Sequence, residues 1–126
     1  MTKQQIKQHS FKNDRYVKTR GGNSHFLDVY CSGCNYHLLL YQKDGKGSLL
    51  RIYLDRIFEP PILAKLQSEC NSKSDMPNLK CLNCQKIVAI PMVYKPENRL
   101  AFSLVRGAFI KKKSTGVYPP TELILN

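Results

Sequence analysis

The chain carries the sequence CSGC at residues 31–34 and CLNC at residues 81–84, and these two Cys-x-x-Cys pairs decide its fold. Two residues between the cysteines allow a tight turn that directs both sulfurs at one metal ion, about 2.3 Å away. Each pair supplies half of a tetrahedron, and the Gly and Asn residues in and beside the turns tolerate the backbone angles of such a knuckle. We therefore predict a zinc site with Cys31, Cys34, Cys81 and Cys84 as its ligands.

The four cysteines have three other interpretations. A disulfide framework is typical of secreted chains, but residues 1–24 are polar and basic and lack the apolar stretch of a signal peptide. A thioredoxin-type redox motif would open a helix after a strand, and neither pair is followed by a helical pattern. Iron could bind the same four sulfurs and stays open. Because four protein ligands leave no position for water or substrate, we expect the metal to be structural.

Length and charge restrict the class of protein. A chain of 126 residues suits one domain, small enough for a metal to supply much of its stability. No apolar run approaches the length of a membrane span, so we expect a soluble, cytoplasmic protein. The 20 Lys and Arg residues against 9 Asp and Glu give a net charge of +11, which favours an acidic partner such as nucleic acid. The other interpretation is that the charge only keeps a small protein soluble.

The composition divides the chain into three parts. Residues 1–24 are predicted to be a basic flexible arm, because their Lys and Arg residues face a single acidic residue and glycines follow as a hinge. Residues 25–113 are predicted to be the zinc-binding β domain, and residues 114–126 an extended C-terminal tail. The rings of Phe11 and Tyr16 in the arm could stack on bases or dock the arm onto its own domain.

The hydrophobic pattern predicts a mainly β fold with one short helix. In residues 48–54, the alternation buries Leu50, Ile52 and Leu54 and leaves Arg51 and Tyr53 exposed. The Asp-Gly pair at 44–45 predicts a hairpin into this strand. The Pro-Pro pair at 60–61 can open a helix that buries Cys70, and Pro91 indicates an edge or a bulge in a strand. Strands are predicted at 25–30, 37–41, 48–54, 87–94, 100–105 and 108–110.

Further motifs around the two cysteine pairs carry a family resemblance. The first pair is followed by His37-Leu38, then by GKG at residues 45–47, and the second pair by Tyr94 and then Gly107-x-Phe109-Ile110. Over residues 26–113 this arrangement resembles the yippee-type domains. The resemblance implies a β-tent, in which two antiparallel sheets meet at an angle and a zinc ion pins the apex. A two-hairpin zinc ribbon is the other architecture that the sequence allows.

We expect no enzyme activity from this sequence. Cereblon-type relatives of the resembled family bind small ligands in a cage of tryptophans, and the chain contains no Trp. Methionine-R-sulfoxide reductases, which share the zinc apex, need a further cysteine on a late strand, and residues 99–103 offer none. The three histidines, His9, His25 and His37, are far apart along the chain, so no acid or base pair stands out.

Two functions of different classes remain. In the first, a rigid zinc domain binds nucleic acid through the basic arm and a lysine cluster near the end, with phosphate contacts that salt would weaken. In the second, the domain is a protein-interaction or dimerisation module whose charge complements an acidic protein surface. The oligomeric state is open in both. The candidate nucleic-acid contacts are Lys12, Arg15, Lys18, Arg20, Arg51, Tyr53, Arg106, Lys111, Lys112 and Lys113.

Overall fold

The computed structural model describes residues 6–120, and its main elements are two four-stranded antiparallel sheets. The helices are α1 (Arg15–Thr19), α2 (Pro61–Ala64) and α3 (Leu66–Glu69). None of these helices in residues 6–120 has the length needed to cross a membrane. The strands are β1 (Lys7–Gln8), β2 (Ser24–Cys31), β3 (His37–Asp44), β4 (Arg51–Tyr53), β5 (Ile57–Glu59), β6 (Leu79–Lys80), β7 (Ile87–Tyr94), β8 (Arg99–Leu104), β9 (Phe109–Ser114) and β10 (Val117–Tyr118).

The two sheets enclose one apolar core, which confirms the predicted mainly β fold. The first sheet has the strand order β5-β3-β2-β9 and the second β4-β8-β7-β6. Each fully buried aliphatic or aromatic side chain contributes about 1.5–3 kcal/mol through the hydrophobic effect. Side chains from both sheets have no exposed surface in this core, among them Val29, Leu39, Ile52, Val88 and Phe102.

Each sheet receives one strand from the other half of the chain. The predicted hairpin across Asp44 is wrong, because β4 crosses to the second sheet and pairs with β8, placing Ile52 opposite Phe102. Strand β9 crosses the other way and pairs with β2, placing Lys111 opposite Val29. An Asp-Gly pair indicates a local turn, but residues 45–50 form a longer loop that carries the chain out of the first sheet.

The alternation predicted for residues 48–54 holds only in part. Ile52 and Leu54 are buried as predicted, but Leu50 is 63% exposed, because it lies in the loop before β4 begins. Tyr53 was predicted to be exposed and is only 7% exposed. Its ring lies 3.8 Å from the Arg99 guanidinium, and its hydroxyl accepts a hydrogen bond from Arg20 at 3.0 Å. Residues distant in sequence therefore cover a side chain that the local pattern places in solvent.

The predictions based on proline are confirmed. The helix that begins at Pro61 runs through α2 and α3, which only Lys65 separates, and Cys70 after it is buried. Strand β7 pairs with β6 as far as Ala89, so the part that contains Pro91 has only β8 beside it. A residue without an N–H group is tolerated at such an edge.

Residues 7–20, which the sequence assigns to a flexible arm, pack against the first sheet. Strand β1 pairs with β10. The ring of Phe11 stacks on that of Phe26 with centroids 4.3 Å apart, so this ring docks the segment onto its own domain. The Lys12 backbone N–H donates to the Gln42 side chain at 2.8 Å, and the Lys12 carbonyl accepts from it at 3.0 Å. Residues 1–5 of the predicted arm and 121–126 of the predicted tail lie outside the described residues, and the three-part division stays a prediction.

Buried ion pairs fix this N-terminal segment in place. Arg56 is 1% exposed and donates to Asp44 at 2.8 Å and to both carboxylate oxygens of Asp14 at 2.6 and 3.1 Å. Asp14 also accepts from the Tyr16 N–H at the start of α1. Removing one partner from a buried pair leaves a charge without compensation, and this is strongly destabilising. The segment is therefore part of the folded domain.

The pair also makes stability depend on pH. The hydrogen bonds from Arg56 hold the pKa of Asp14 below its ordinary value of 3.8. Because the folded protein binds this proton more weakly than the unfolded chain, the pair stabilises fully above pH 3.8. The stability that the pair contributes is lost as the pH falls through the lower pKa that Asp14 has in the folded protein.

We predict that Asp14→Asn lowers the free energy of unfolding at pH 7 by about 1–2 kcal/mol. This value lies near the low end for a hydrogen bond to a charged group, because Asp14 is partly exposed. Urea unfolding would measure this. The difference from the wild type should narrow below about pH 4. As a control, Glu69→Gln removes the exposed pair with Lys65 and should cost under about 0.5 kcal/mol. Equal stability of the Asp14 variant and the wild type at pH 7 would contradict the packing of this segment.

Candidate metal centre

The four predicted ligands come together in one cluster. Their sulfur atoms all lie within 4.8 Å of one another. The Sγ atoms of Cys31 and Cys84 are 3.6 Å apart, and those of Cys34 and Cys81 are 3.5 Å apart. Sulfurs bound to one tetrahedral ion at about 2.3 Å are about 3.8 Å from each other, so the cluster fits a single metal ion.

A disulfide does not account for these distances. All five cysteines are free thiols in the structure, and the sulfur separations of 3.5 and 3.6 Å far exceed the disulfide bond length of about 2.05 Å. Both of these short separations lie between a cysteine of the first knuckle and one of the second. The cluster therefore links the two halves of the chain through whatever ion it holds.

The two knuckles share one backbone geometry. The N–H of Asn35 donates to the Cys31 carbonyl, and the N–H of Gln85 to the Cys81 carbonyl, both at 2.8 Å. Asn35 and Gln85 have φ angles of 65° and 68°, in the left-handed region. The sequence analysis singled out Asn35 and missed Gln85, whose signal is its equivalent place directly after the second cysteine. The same kind of turn therefore carries both cysteine pairs.

The burial of the cysteines differs within each pair. Cys31 and Cys81 have no exposed surface, Cys34 is half-buried and Cys84 is exposed. A hydrogen bond from the Asn83 side chain, with a smaller contribution from the Tyr36 N–H, lowers the pKa of the Cys34 thiol to about 6. The thiolate is the form of cysteine that binds metals. A residue of the second knuckle thus contacts a predicted ligand of the first.

Residues around the cluster fasten the first knuckle to the second half of the chain. The Ser32 N–H donates to the Ala108 carbonyl at 3.0 Å, and the Ser32 hydroxyl to the Gly107 carbonyl at 2.7 Å. Lys86 donates to the Ser32 hydroxyl at 3.3 Å and passes over Gly33, where a Cβ atom would lie 3.4 Å from the lysine side chain. An ammonium group here offsets the net negative charge of four thiolates around a divalent ion.

Three of the predicted nucleic-acid contacts are engaged inside the protein. Lys12 donates from Nζ to the Asp55 carbonyl at 2.6 Å and to the Gln67 side chain at 2.9 Å. Arg20 forms a bidentate pair with Glu97 at 2.8 and 2.9 Å. The third, Tyr53, is buried. These side chains hold the N-terminal segment in place, and a role for them in binding a partner stays a prediction.

The other candidates are more accessible, but they do not form one surface. Arg15, Lys18, Arg106 and the three lysines of β9 are exposed, and Arg51 is half-buried over the ring of Tyr94 at 4.4 Å. Within β9, Lys112 points to the opposite side from its two neighbours, because side chains alternate along a strand. Its Nζ atom lies 5.1 Å from the centroid of the Tyr30 ring.

Strand pairing adds two residues that the sequence analysis missed. His25 lies opposite Lys43 in the register of β2 with β3, and Lys111 and Lys113 lie on the same side of the sheet through their pairing with β2. We call these four residues the basic face. Desolvation first, and then the charges of the three lysines, lower the pKa of His25. No local signal could have found this face, because its members come from three strands.

Comparisons of the chain with protein-family models, with curated proteins and with solved structures found no match. The assignment of the cysteine cluster as a metal site therefore rests on its own donor set and geometry.

Proposed function

We propose that this protein is a zinc-stabilised, non-enzymatic binding module that engages nucleic acid through its basic face. Four thiolates in a tetrahedral arrangement favour zinc or iron, and zinc suits a closed, purely structural site. Two antiparallel sheets joined by a cluster at the ends of β2 and β6 also support the resemblance to a yippee-type β-tent. The metal would hold the two hairpins in register, and the chemistry of binding would belong to the surface.

The basic face carries the nucleic-acid part of the proposal. Lys111 and Lys113 are exposed, and neither forms an ion pair within residues 6–120. After burial, which is the largest cause, the charges of Lys111 and Lys113 help to lower the pKa of His25, and the charge of Lys111 helps to lower that of Lys43. Clustered cations without counter-ions attract phosphates, because contact releases the counter-ions condensed on the nucleic acid. Scattered surface lysines that serve solubility would not need this proximity.

A protein-interaction module is the second candidate, and an apolar groove supports it. The groove has a volume of about 330 Å³ and lies between α2, α3 and the cysteine knuckles. Ile62 and Leu82 in its lining are 54% and 63% exposed. Exposed apolar surface in a concave site is typical of a place where another molecule binds. This function would not require the basic face.

We predict that purified protein contains one zinc ion per chain and that Cys81→Ser loses it. The metal can contribute on the order of 10 kcal/mol, so its removal by a chelator should abolish cooperative unfolding or lower the melting temperature sharply. Elemental analysis and thermal unfolding would measure both effects. The control is Cys70→Ala, which removes the one cysteine outside the cluster. Iron in place of zinc would correct the metal, and metal-free protein with unchanged unfolding would refute the site.

We predict that the metal-loaded protein binds single-stranded or duplex DNA or RNA and that its affinity falls steeply with salt. Lys111→Gln combined with Lys113→Gln should reduce the slope of log affinity against log salt by about 1–2. Fluorescence anisotropy across a salt series would measure the slope.

The matched control removes the same charge elsewhere, through Lys73→Gln combined with Lys95→Gln, two exposed lysines outside the basic face. This double variant should keep most of the affinity. Equal losses of affinity in the two double variants would show that binding depends only on the total charge of the protein. No binding of the wild type at low salt would exclude nucleic acid and favour the protein-interaction function.

A further inference from the structure

A cavity opens where the chain leaves the first sheet for the second. It has a volume of about 290 Å³ and is bounded by the end of β3, the loop 45–50, the start of β4 and Arg20. Arg20 approaches so closely that a Cβ atom on Gly45 would lie 2.9 Å from the Arg20 Cβ. Gly45 has a φ of 82° and donates its N–H to the Asn23 carbonyl. The wall of the cavity is therefore fixed by backbone contacts.

Three of the four cationic side chains that line this cavity lack a counter-ion in the described part of the chain; the fourth, Arg20, is paired with Glu97. Within residues 6–120, Lys43, Lys46 and Arg51 form no ion pair. The single carboxylate in the lining, Asp44, is already bound by the Arg56 guanidinium and by the side chains of Ser24 and Gln42. An anion that entered would meet three cations and no free carboxylate.

Lys43 gives the clearest indication that the cavity suits an anion. The residue is only 7% exposed, and its ammonium makes one hydrogen bond, to the Gly45 carbonyl at 3.0 Å. An ammonium has three hydrogens to donate, and burying a charge is costly unless it is paired. Burial, followed by the charges of Lys111 and Arg20, lowers the pKa of Lys43. A bound anion would remove this penalty.

The loop adds backbone donors beside these charges. The N–H groups of Lys46, Gly47 and Ser48 have no acceptor in the described part of the chain. All three residues are exposed, and Gly47 has a φ of 106° with open space around its Cα. Successive unpaired amides in a glycine-containing turn form a concave site for anions. The sequence DGKGS at residues 44–48 thus supplies unpaired backbone donors as well as a turn of the chain.

We infer that this cavity binds a phosphate group, held by Lys43, Lys46, Arg51 and the free amides of Lys46 and Ser48, the two of the three loop residues that line it. A tetrahedral phosphate accepts hydrogen bonds from several directions, whereas a carboxylate offers two oxygens in one plane. The volume exceeds that of a single phosphate, so part of an attached group can enter. The inference deepens the proposed function, on which it depends for one source of the phosphate, the end of a nucleic-acid strand; free phosphate is the other source.

The test is a nuclear magnetic resonance titration of the full, metal-loaded chain with inorganic phosphate replacing chloride at constant ionic strength. We expect saturable shifts at the amides of Lys46, Gly47 and Ser48. Lys46→Gln, at an exposed position with no role in the core, should weaken binding about tenfold, the effect of one charged hydrogen bond. Lys73→Gln removes the same charge far along the chain and should change the affinity little. Absence of saturable shifts, or equal effects of the two variants, would overturn the site.

A second titration distinguishes the sources of the phosphate. It compares a single-stranded oligonucleotide carrying a 5′-phosphate with the same strand ending in a hydroxyl. Tighter binding of the phosphorylated strand, lost in Lys46→Gln, would support a strand end in the cavity. Equal binding of both strands, with inorganic phosphate still saturating the loop amides, would support a site for free phosphate. Strand binding that depends on Lys111 and Lys113 but not on Lys46, without phosphate shifts, would overturn the cavity site and leave the proposed function standing.

Discussion

The convergence of four sulfurs at the ends of two hairpins is the constraint on which this fold depends. One cysteine pair lies between β2 and β3 and the other between β6 and β7, so an ion in the cluster joins elements about fifty residues apart. A structural zinc ion can contribute on the order of 10 kcal/mol, comparable to the whole net stability of a small domain. The exchange of β4 and β9 between the sheets couples the two hairpins a second time. Loss of the metal would therefore disturb both sheets together.

The N-terminal segment is attached by charge rather than by apolar burial alone. Arg56 and Arg99 are almost fully buried, and each is held by two carboxylates. Buried ion pairs pay a large desolvation cost and often add little net stability, but they have narrow geometric requirements. Asp14 and Arg20 reach partners on distant elements, so a shifted segment would leave several charges unpaired. The network thus specifies one position for residues that, by composition alone, look mobile.

The sequence predicts the features that depend on near neighbours. The knuckles, the helix after Pro60 and the edge position of Pro91 follow from residues a few places apart, and the structure bears them out. The crossing of β4 and the burial of Tyr53 depend on pairing with β8 and on cover from Arg20 and Arg99. His25 and Lys43 join the basic face only because β2 lies between β3 and β9. Such information is non-local, and a pattern of hydrophobicity does not contain it.

Net charge alone says little about where a partner binds, because it does not show which charges are paired within the fold. Within residues 6–120 the acidic side chains are engaged, chiefly by arginine and histidine: Asp14 and Asp44 by Arg56, Asp28 by His37, Asp55 by Arg99, Glu59 by His9, and Glu97 by Arg20 and Arg99. The fold thereby neutralises its buried arginines, and within residues 6–120 it leaves Lys111, Lys113 and Lys46 without an ion pair. Positive charge is concentrated on the side of the first sheet that carries Lys43, Lys111 and Lys113, and at the loop 45–50 that follows β3. A surface whose lysines served solubility alone would not require the acids to be withdrawn from one region, so the proposed binding region rests on the distribution of counter-ions rather than on the total charge of +11.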